Sequence, residues 1–287
     1  MFRINSRVKK RLGNGITKFK RVFAQAKNKD VNESDTVSIL EDTFAEVFGY
    51  DKYFELTKEF VIRGTYCDLA VKVDEKVQFL IEVKAIGISL KQSHIKQAID
   101  YGANKGISWV ILTNGINWRI YKIKFEKPIN YELIEEFNFL ELDKNSENDL
   151  DVLYILSKEG LAKNEREEYY EKIQTVNRYI VGNIILQEPV IKAVRRELRK
   201  FAVGLKVEDD ELVELIKGEI IKRELFDSDK GIEADAKIKK YYKKLSKKKS
   251  STSKSAKPAA AAPVVDKPAP SITEQLLDES LKVLRNN

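Results

Sequence analysis

The spacing of apolar positions along this chain changes character twice. Between Ser34 and Gly49, the residues Val37, Leu40, Phe44, Val47 and Phe48 fall near helical spacing, which predicts a helix capped by Ser34 or Asp35 and ended by Gly49. From residue 59 the rhythm shortens. EFVIR (59–63), YCDLAVKV (66–73) and VQFLIEVKAI (77–86) are rich in β-branched and aromatic residues, with Gly64-Thr65 and Asp74-Glu75-Lys76 as short turns between them. LKQSHIKQAIDYGANKG (90–106) returns to helical spacing and stops near Gly102 or Gly106. WVILT (109–113), an Asn114-Gly115 turn and the alternating NWRIYKIKF (117–125) predict two more strands. Helix, three strands, helix and two strands make an α/β chain of the α+β kind, with a mixed sheet and helices packed on it.

After Pro128 the second change occurs. ELIEEFNFLEL (132–142) leads into residues 147–245, which are helical in pattern almost throughout. DLDVLYILS (149–157), the long run 165–186, PVIKAVRRELRKF (189–201) and the run 209–226 each predict a helix, with Pro189 suited to a first turn. The expected division is therefore a basic N-terminal arm (1–30), an α/β domain (31–142), an all-α extension (147–245), a Lys/Ser/Pro/Ala linker (246–270) and a C-terminal amphipathic helix (271–287). That last segment places Ser271 and Glu274 at capping-box spacing and lines up Ile272, Leu276, Leu277, Leu281 and Leu284. A helix so short is marginal alone, so the stripe implies docking, on the body or on a protein partner.

Charge sharpens this division. The chain carries +7 over 287 residues, but residues 1–30 hold ten Lys/Arg against one acid, and residues 237–257 hold ten Lys and no acid, leaving the rest at −12. Basic flanks on an acidic body suit the phosphate backbone of a nucleic acid, although solvated tails would look the same. Other features narrow the class. No apolar run approaches the roughly 20 residues of a membrane span, so no membrane partner is expected. The stretch MFRINSRVKKRLGNG has no secretory apolar core, while a basic amphipathic transit segment stays open. The single cysteine, Cys67, excludes an internal disulfide, and the single histidine, His94, argues against a zinc cluster. A reducing cytoplasm is the expected compartment.

The most informative positions are two charges in an otherwise apolar strand. In FLIEVKAIG (79–87), Glu82 and Lys84 share one face, and burying such groups is costly unless they are paired or bound to something. Asp68, inside YCDLAVKV, comes near Glu82 if the two strands form a hairpin. Two neighbouring carboxylates repel unless a cation lies between them, and carboxylates with water suit Mg²⁺ or Mn²⁺. A lysine beside such an ion suits phosphodiester hydrolysis. The bland alternative is a half-exposed sheet face on which Asp68 and Glu82 pair with Lys72 and Lys84. His94 is read as a hydrogen-bonded or exposed residue, Cys67 as a small buried hydrophobe, and Trp109 and Trp118 as sheet core.

These residues carry a family resemblance. Asp68 followed by Glu82-Val83-Lys84 resembles the D…ExK signature of the PD-(D/E)xK nuclease superfamily, and Gln97 with Tyr101 in QAIDY resembles the QxxxY motif of its RecB-like branch. LTNG (112–115), then Trp118 and Tyr121, is similar to the N-terminal nuclease domain of type I restriction enzyme R subunits. Glu41 matches the acidic residue that this superfamily often sets near the metal. The resemblance covers about residues 31–142. It implies a restriction-endonuclease-like αβββαβ core in which Asp68, Glu82 and the Val83 carbonyl hold Mg²⁺ or Mn²⁺ and Lys84 positions or activates water. Glu41 would support the metal through a water, and Gln97 and Tyr101, on one helical face, would contact DNA or orient Lys84. No G-x-x-x-x-G-K-[ST] occurs in the chain, so the expected enzyme is a metal-dependent DNA endonuclease of restriction, defence or DNA processing without an ATPase motor. The competing readings are a catalytically silent DNA-binding module and a partner-interaction module on the same fold.

Overall fold

The computed structural model describes residues 2–62 and 65–252. The chain falls into two compact units that divide at Val181 and Gly182. The first unit opens with α1 (Ser6–Asn28), capped by the Asn5 side chain, and α2 (Glu33–Glu46), capped by Asn32. A six-stranded sheet follows in chain order: β1 (Leu56–Ile62), β2 (Thr65–Val73), β3 (Lys76–Val83), β4 (Trp109–Thr113), β5 (Asn117–Lys124) and β6 (Asn130–Asn138). Every pairing is antiparallel except that of β3 with β4, where α3 (Gln92–Lys105) makes the crossover. α4 (Glu147–Tyr154), α5 (Lys158–Ala162) and α6 (Glu165–Thr175) complete this unit, and α7 (Arg178–Ile185) runs across the division.

The sheet has a core on each face because its buried strands are apolar on both sides. On one face Leu69, Val71, Phe79, Ile81, Val83, Trp109 and Trp118 pack with α1, α2 and α4. On the other face Ala70, Leu80, Val110, Leu112, Tyr121 and Ile123 pack with Ile95, Ala98, Ile99 and Tyr101 of α3.

Two expected boundaries are corrected. Residues 1–30 are not a free basic arm: Val8, Leu12, Ile16, Phe19 and Phe23 are buried along one side of α1 and belong to the main core. Their four-four-three-four spacing buries a continuous stripe while most of the lysines and arginines, Arg11 apart, face outward. The helical part does not begin a separate body at 147, because Leu150, Leu153, Tyr154, Ile155 and Leu156 fill the same core. Residues 130–138, expected to be connecting chain, form an edge strand whose alternation Tyr131, Leu133, Glu135, Phe137 is interrupted by a bulge opposite Ile120 and Tyr121.

Arg11 ties these helices together. Its guanidinium donates to the Val47 and Phe48 carbonyls (3.0 and 3.2 Å) at the end of α2, and to both oxygens of Glu159 in α5 (2.7 and 2.5 Å). Burial disfavours the Glu159 carboxylate, but Arg11 outweighs it and holds the pKa below the ordinary glutamate value. A depressed folded pKa contributes stability above the unfolded value, and that contribution is lost as pH falls through the folded one. Arg11→Ala is expected to lower unfolding stability by about 2 kcal/mol at neutral pH. The loss should shrink on acidification below the ordinary glutamate range. Urea unfolding at pH 7 and pH 3 checks both, and an equal loss at the two pH values would discard the ion-pair part.

In the second unit, α8 (Glu188–Phe201), α9 (Asp209–Leu215), a π-helical turn (Ile216–Ile220), α10 (Glu224–Asp227) and α11 (Asp229–Thr252) follow α7. Ile191, Val207, Leu212 and Ile216 form its small core. The helix expected over 165–186 breaks between Thr175 and Arg178, where the Asn177 side chain accepts from the backbone N–H of Tyr179 and Ile180. The Lys/Ser run begins as helix, since α11 continues to Thr252 inside the segment expected as linker. The rest of that segment and the expected helix 271–287 lie outside the described residues.

Candidate active site

The β2–β3 register decides whether Asp68 and Glu82 can act together. Leu69 faces Ile81 across this antiparallel pair, so one further step sets Asp68 opposite Glu82 on the same side of the sheet. Asp68 Oδ2 accepts from the Val83 N–H at 2.6 Å. Beyond Val83 the backbone still follows β4, with the Lys84 N–H donating to the Thr113 carbonyl at 2.9 Å. This keeps Lys84 on the strand's path and turns its side chain back. Its ammonium donates to Glu82 Oε1 (2.8 Å) and the Val83 carbonyl (2.6 Å), and lies 3.4 Å from Glu33 Oε2. Asp68, Glu82, Val83 and Lys84 are therefore brought together.

Glu82 is 9% exposed, and its electrostatics match its place. Burial raises the pKa of both carboxyls above the ordinary range, and each also feels the negative charge of Glu33. The Val83 N–H works against the rise at Asp68, and Lys84 works against it at Glu82, which also feels Asp68. Burial disfavours the Lys84 ammonium, but its bond to Glu82 prevails and holds its pKa above the usual lysine value. The cluster thus concentrates negative potential at the end of β2 and β3, and a cation stabilises it.

Glu33 was not among the residues expected from sequence. It lies in the first turn of α2, and the chain places it by running α1 into the loop after β3. The Asp30 carboxylate lies directly against Gly87, so the α1–α2 junction and this loop touch there. Glu41, expected to support the metal, instead pairs with Lys58 of β1 at 2.6 Å. It follows Glu33 by about 12 Å of helix at 1.5 Å per residue, which carries it away from the Lys84 ammonium.

The QxxxY pair divides. Gln97 is exposed on α3, whereas Tyr101 is buried and donates its hydroxyl to the Phe60 carbonyl of β1 at 2.5 Å. Burial pushes the Tyr101 phenol up to about 12. Tyr101 is a polar-tipped core residue that joins α3 to β1. The neighbouring Cys67 is buried with its thiol likewise pushed up to about 12 by burial, and His94 Nδ1 accepts from the Lys91 N–H at 3.3 Å. Trp109 and Trp118 are fully buried.

LTNG has a structural task beside the cluster. Asn114 donates to the Ile86 and Ile88 carbonyls (3.2 and 2.9 Å) and accepts from the Ile116 and Asn117 N–H groups (3.1 and 2.7 Å). One buried amide thereby fastens the loop after Lys84 to the β4–β5 turn. Asn114→Ala leaves several buried backbone groups unpaired, so a stability loss of about 2–3 kcal/mol is expected, measurable by urea unfolding. A loss below about 0.5 kcal/mol, the level of an ordinary surface change, would contradict the clamp.

The donors available to a metal are carboxylate and carbonyl oxygens, the hard set that suits Mg²⁺ or Mn²⁺. Among the described residues no group of three or more His, Cys, Asp or Glu stands together to hold an ion. Asp68, Glu82 and the Val83 carbonyl are the available set.

Residues 43–137 match the family model of the type I restriction enzyme R protein N terminus (HSDR_N). This match points to a restriction-type nuclease domain over the β1–β6 sheet. No curated protein and no solved structure matches the chain.

Proposed function

We propose that the chain is a metal-dependent DNA endonuclease that hydrolyses phosphodiester bonds at Asp68, Glu82 and Lys84. The observation that carries this reading is the β2–β3 register, which brings the buried Glu82 and the half-buried Asp68 to one side of the sheet with a lysine beside them. The match over residues 43–137 to a restriction enzyme N terminus supports DNA as the substrate.

Asp68, Glu82 and the Val83 carbonyl would hold the ion, and Glu33 lies near enough to bias it electrostatically. A bound Mg²⁺ or Mn²⁺ supplies charge neutralisation at the phosphate and a more acidic water. Lys84 donates to the attacking water or to a phosphate oxygen, and Glu82 holds that ammonium in place. Attack would form a new bond from water oxygen to phosphorus, with the water's proton passing to solvent; the bond to the leaving nucleoside oxygen would break, and that oxygen would take a proton from solvent. Burial of the cluster strengthens each of these interactions relative to the same groups in water. Tyr101 and Asn114 act through the frame: one joins α3 to β1, and the other fastens the loop after Lys84.

The second reading is a DNA-binding module without catalysis, favoured by the Lys84–Glu82 ion pair, which satisfies the buried carboxylate without a metal. Purified full-length chain incubated with duplex and single-stranded DNA, in Mg²⁺, Mn²⁺ or EDTA, separates the two. Metal-dependent cutting upholds the nuclease. Binding without cutting under every condition leaves the silent module.

A further inference from the structure

We infer that the outward face of α1 is a rigid track for a nucleic-acid backbone that ends toward the Lys84 end of the candidate active site. This rests on the DNA reading above and adds the path of the substrate. α1 contains no acidic residue over Ser6–Asn28. Its core-facing stripe leaves Arg7, Lys10, Asn14, Lys18, Arg21 and Gln25 on the opposite side, spaced by three or four residues and therefore in one row. Of its four basic members only Lys18 has an acidic partner among the described residues, Glu46 at 2.5 Å. Arg7, Lys10 and Arg21 are exposed with none. Arg7, Lys10, Asn14 and Lys18 also line a recess of about 430 Å³ along this face, together with Arg11 and Glu46.

The row is about 27 Å long at 1.5 Å per residue, so it can follow several phosphates of a duplex that presents a charge every ~1.7 Å. Its direction is set by the fold. The C-terminal end of α1 runs through Asp30, which abuts Gly87, to Glu33, which reaches Lys84. The row thus ends toward the strand end at which Glu33 reaches Lys84, while Asp68 and Glu82 alternate onto the α3 side of the sheet. An anionic lipid surface would also attract these charges, but an interfacial helix needs an apolar face to insert, and that of α1 is consumed by the core.

The test uses the full chain with Glu82→Ala, a 30-base-pair labelled duplex and EDTA, so binding is read without cutting. Arg7→Gln, Lys10→Gln and Arg21→Gln are combined, with a charge-matched control of Lys230→Gln, Lys240→Gln and Lys244→Gln. The row variant is expected to bind at least tenfold more weakly at 0.1 M salt, with its salt slope smaller by about two to three, at roughly 0.9 per lost phosphate contact. An unchanged Kd and slope overturns the track. So does an equal loss in the control, because bulk charge would then suffice. Row-dependent binding of anionic lipid vesicles with unaltered DNA binding overturns it in favour of a membrane. The two readings fail separately: wild-type chain that never cuts but binds through the row removes only the nuclease, and wild-type chain that cuts but binds independently of the row removes only the track.

Discussion

Glu82→Gln is expected to slow metal-dependent cutting of duplex DNA by roughly a thousandfold or more, the scale on which a preorganised charge at a reacting centre acts. The substitution keeps the volume and removes the charge. Two functions go together, since the same carboxylate is an oxygen donor beside Asp68 and the partner that holds the Lys84 ammonium. Lys84→Ala should cost a comparable factor by removing the cation that, among the described residues, pairs with the cluster. Glu33→Gln should cost less, about tenfold, because its carboxylate is 49% exposed and 3.4 Å from Lys84. Glu41→Gln should leave cutting within about twofold, since Glu41 meets Lys58 instead. The measurement is the single-turnover rate on a labelled duplex in Mg²⁺ and in Mn²⁺. A Glu82→Gln enzyme that cuts at the wild-type rate would end the assignment, and a Glu41→Gln enzyme as dead as Glu82→Gln would mean that the metal support lies on the third turn of α2 after all.

The sheet and its charged positions were legible because the signals were local. Five strands and the crossover helix follow from runs of β-branched residues, turn dipeptides and a single change of period, and the spacing of Asp68, Glu82 and Lys84 needs only a hairpin between β2 and β3. Glu33 was not legible, because nothing near it in sequence says that the first turn of α2 meets the loop after β3. That contact is fixed at Gly87 and Asp30, more than fifty residues apart. Tyr101 shows the converse failure. A motif position shared with Gln97 suggested one working face, but the helix turns the ring into the core, where its hydroxyl donates to the Phe60 carbonyl. β6 was hidden by its charge: Glu132, Glu135 and Glu136 make an edge strand look like connecting chain, as acidic edges that resist further pairing do. In α1 the lysines and arginines drew attention from an apolar stripe present in the same residues.

That stripe makes a second large effect testable. Phe23→Ala is expected to destabilise the first unit by about 4 kcal/mol, within the range for removing a fully buried phenylalanine. Phe23 is completely buried, and its ring meets the edge of Phe139 at 5.1 Å. A Cβ added at Gly115 would come within 2.7 Å of it, and Gly115 sits at φ +85°, where a side chain is also strained. The cavity therefore opens directly beneath the Asn114-Gly115 turn. The LTNG turn rests on α1 through Phe23 and holds the loop after Lys84 through Asn114. Softening that support should slow cutting under folding conditions as well as lower stability, whereas DNA binding through the exposed row should persist while the unit is folded. Trp109 and Trp118 both lie in this unit, so tryptophan fluorescence in urea reports its unfolding without the second unit. Had residues 1–30 been a free arm, the substitution would cost no more than a surface change, within about 0.5 kcal/mol, and such a small loss would return α1 to that role. A loss of several kcal/mol makes the basic helix part of the frame that holds the cluster, so its charges are carried at a fixed distance from Lys84 rather than on a tether.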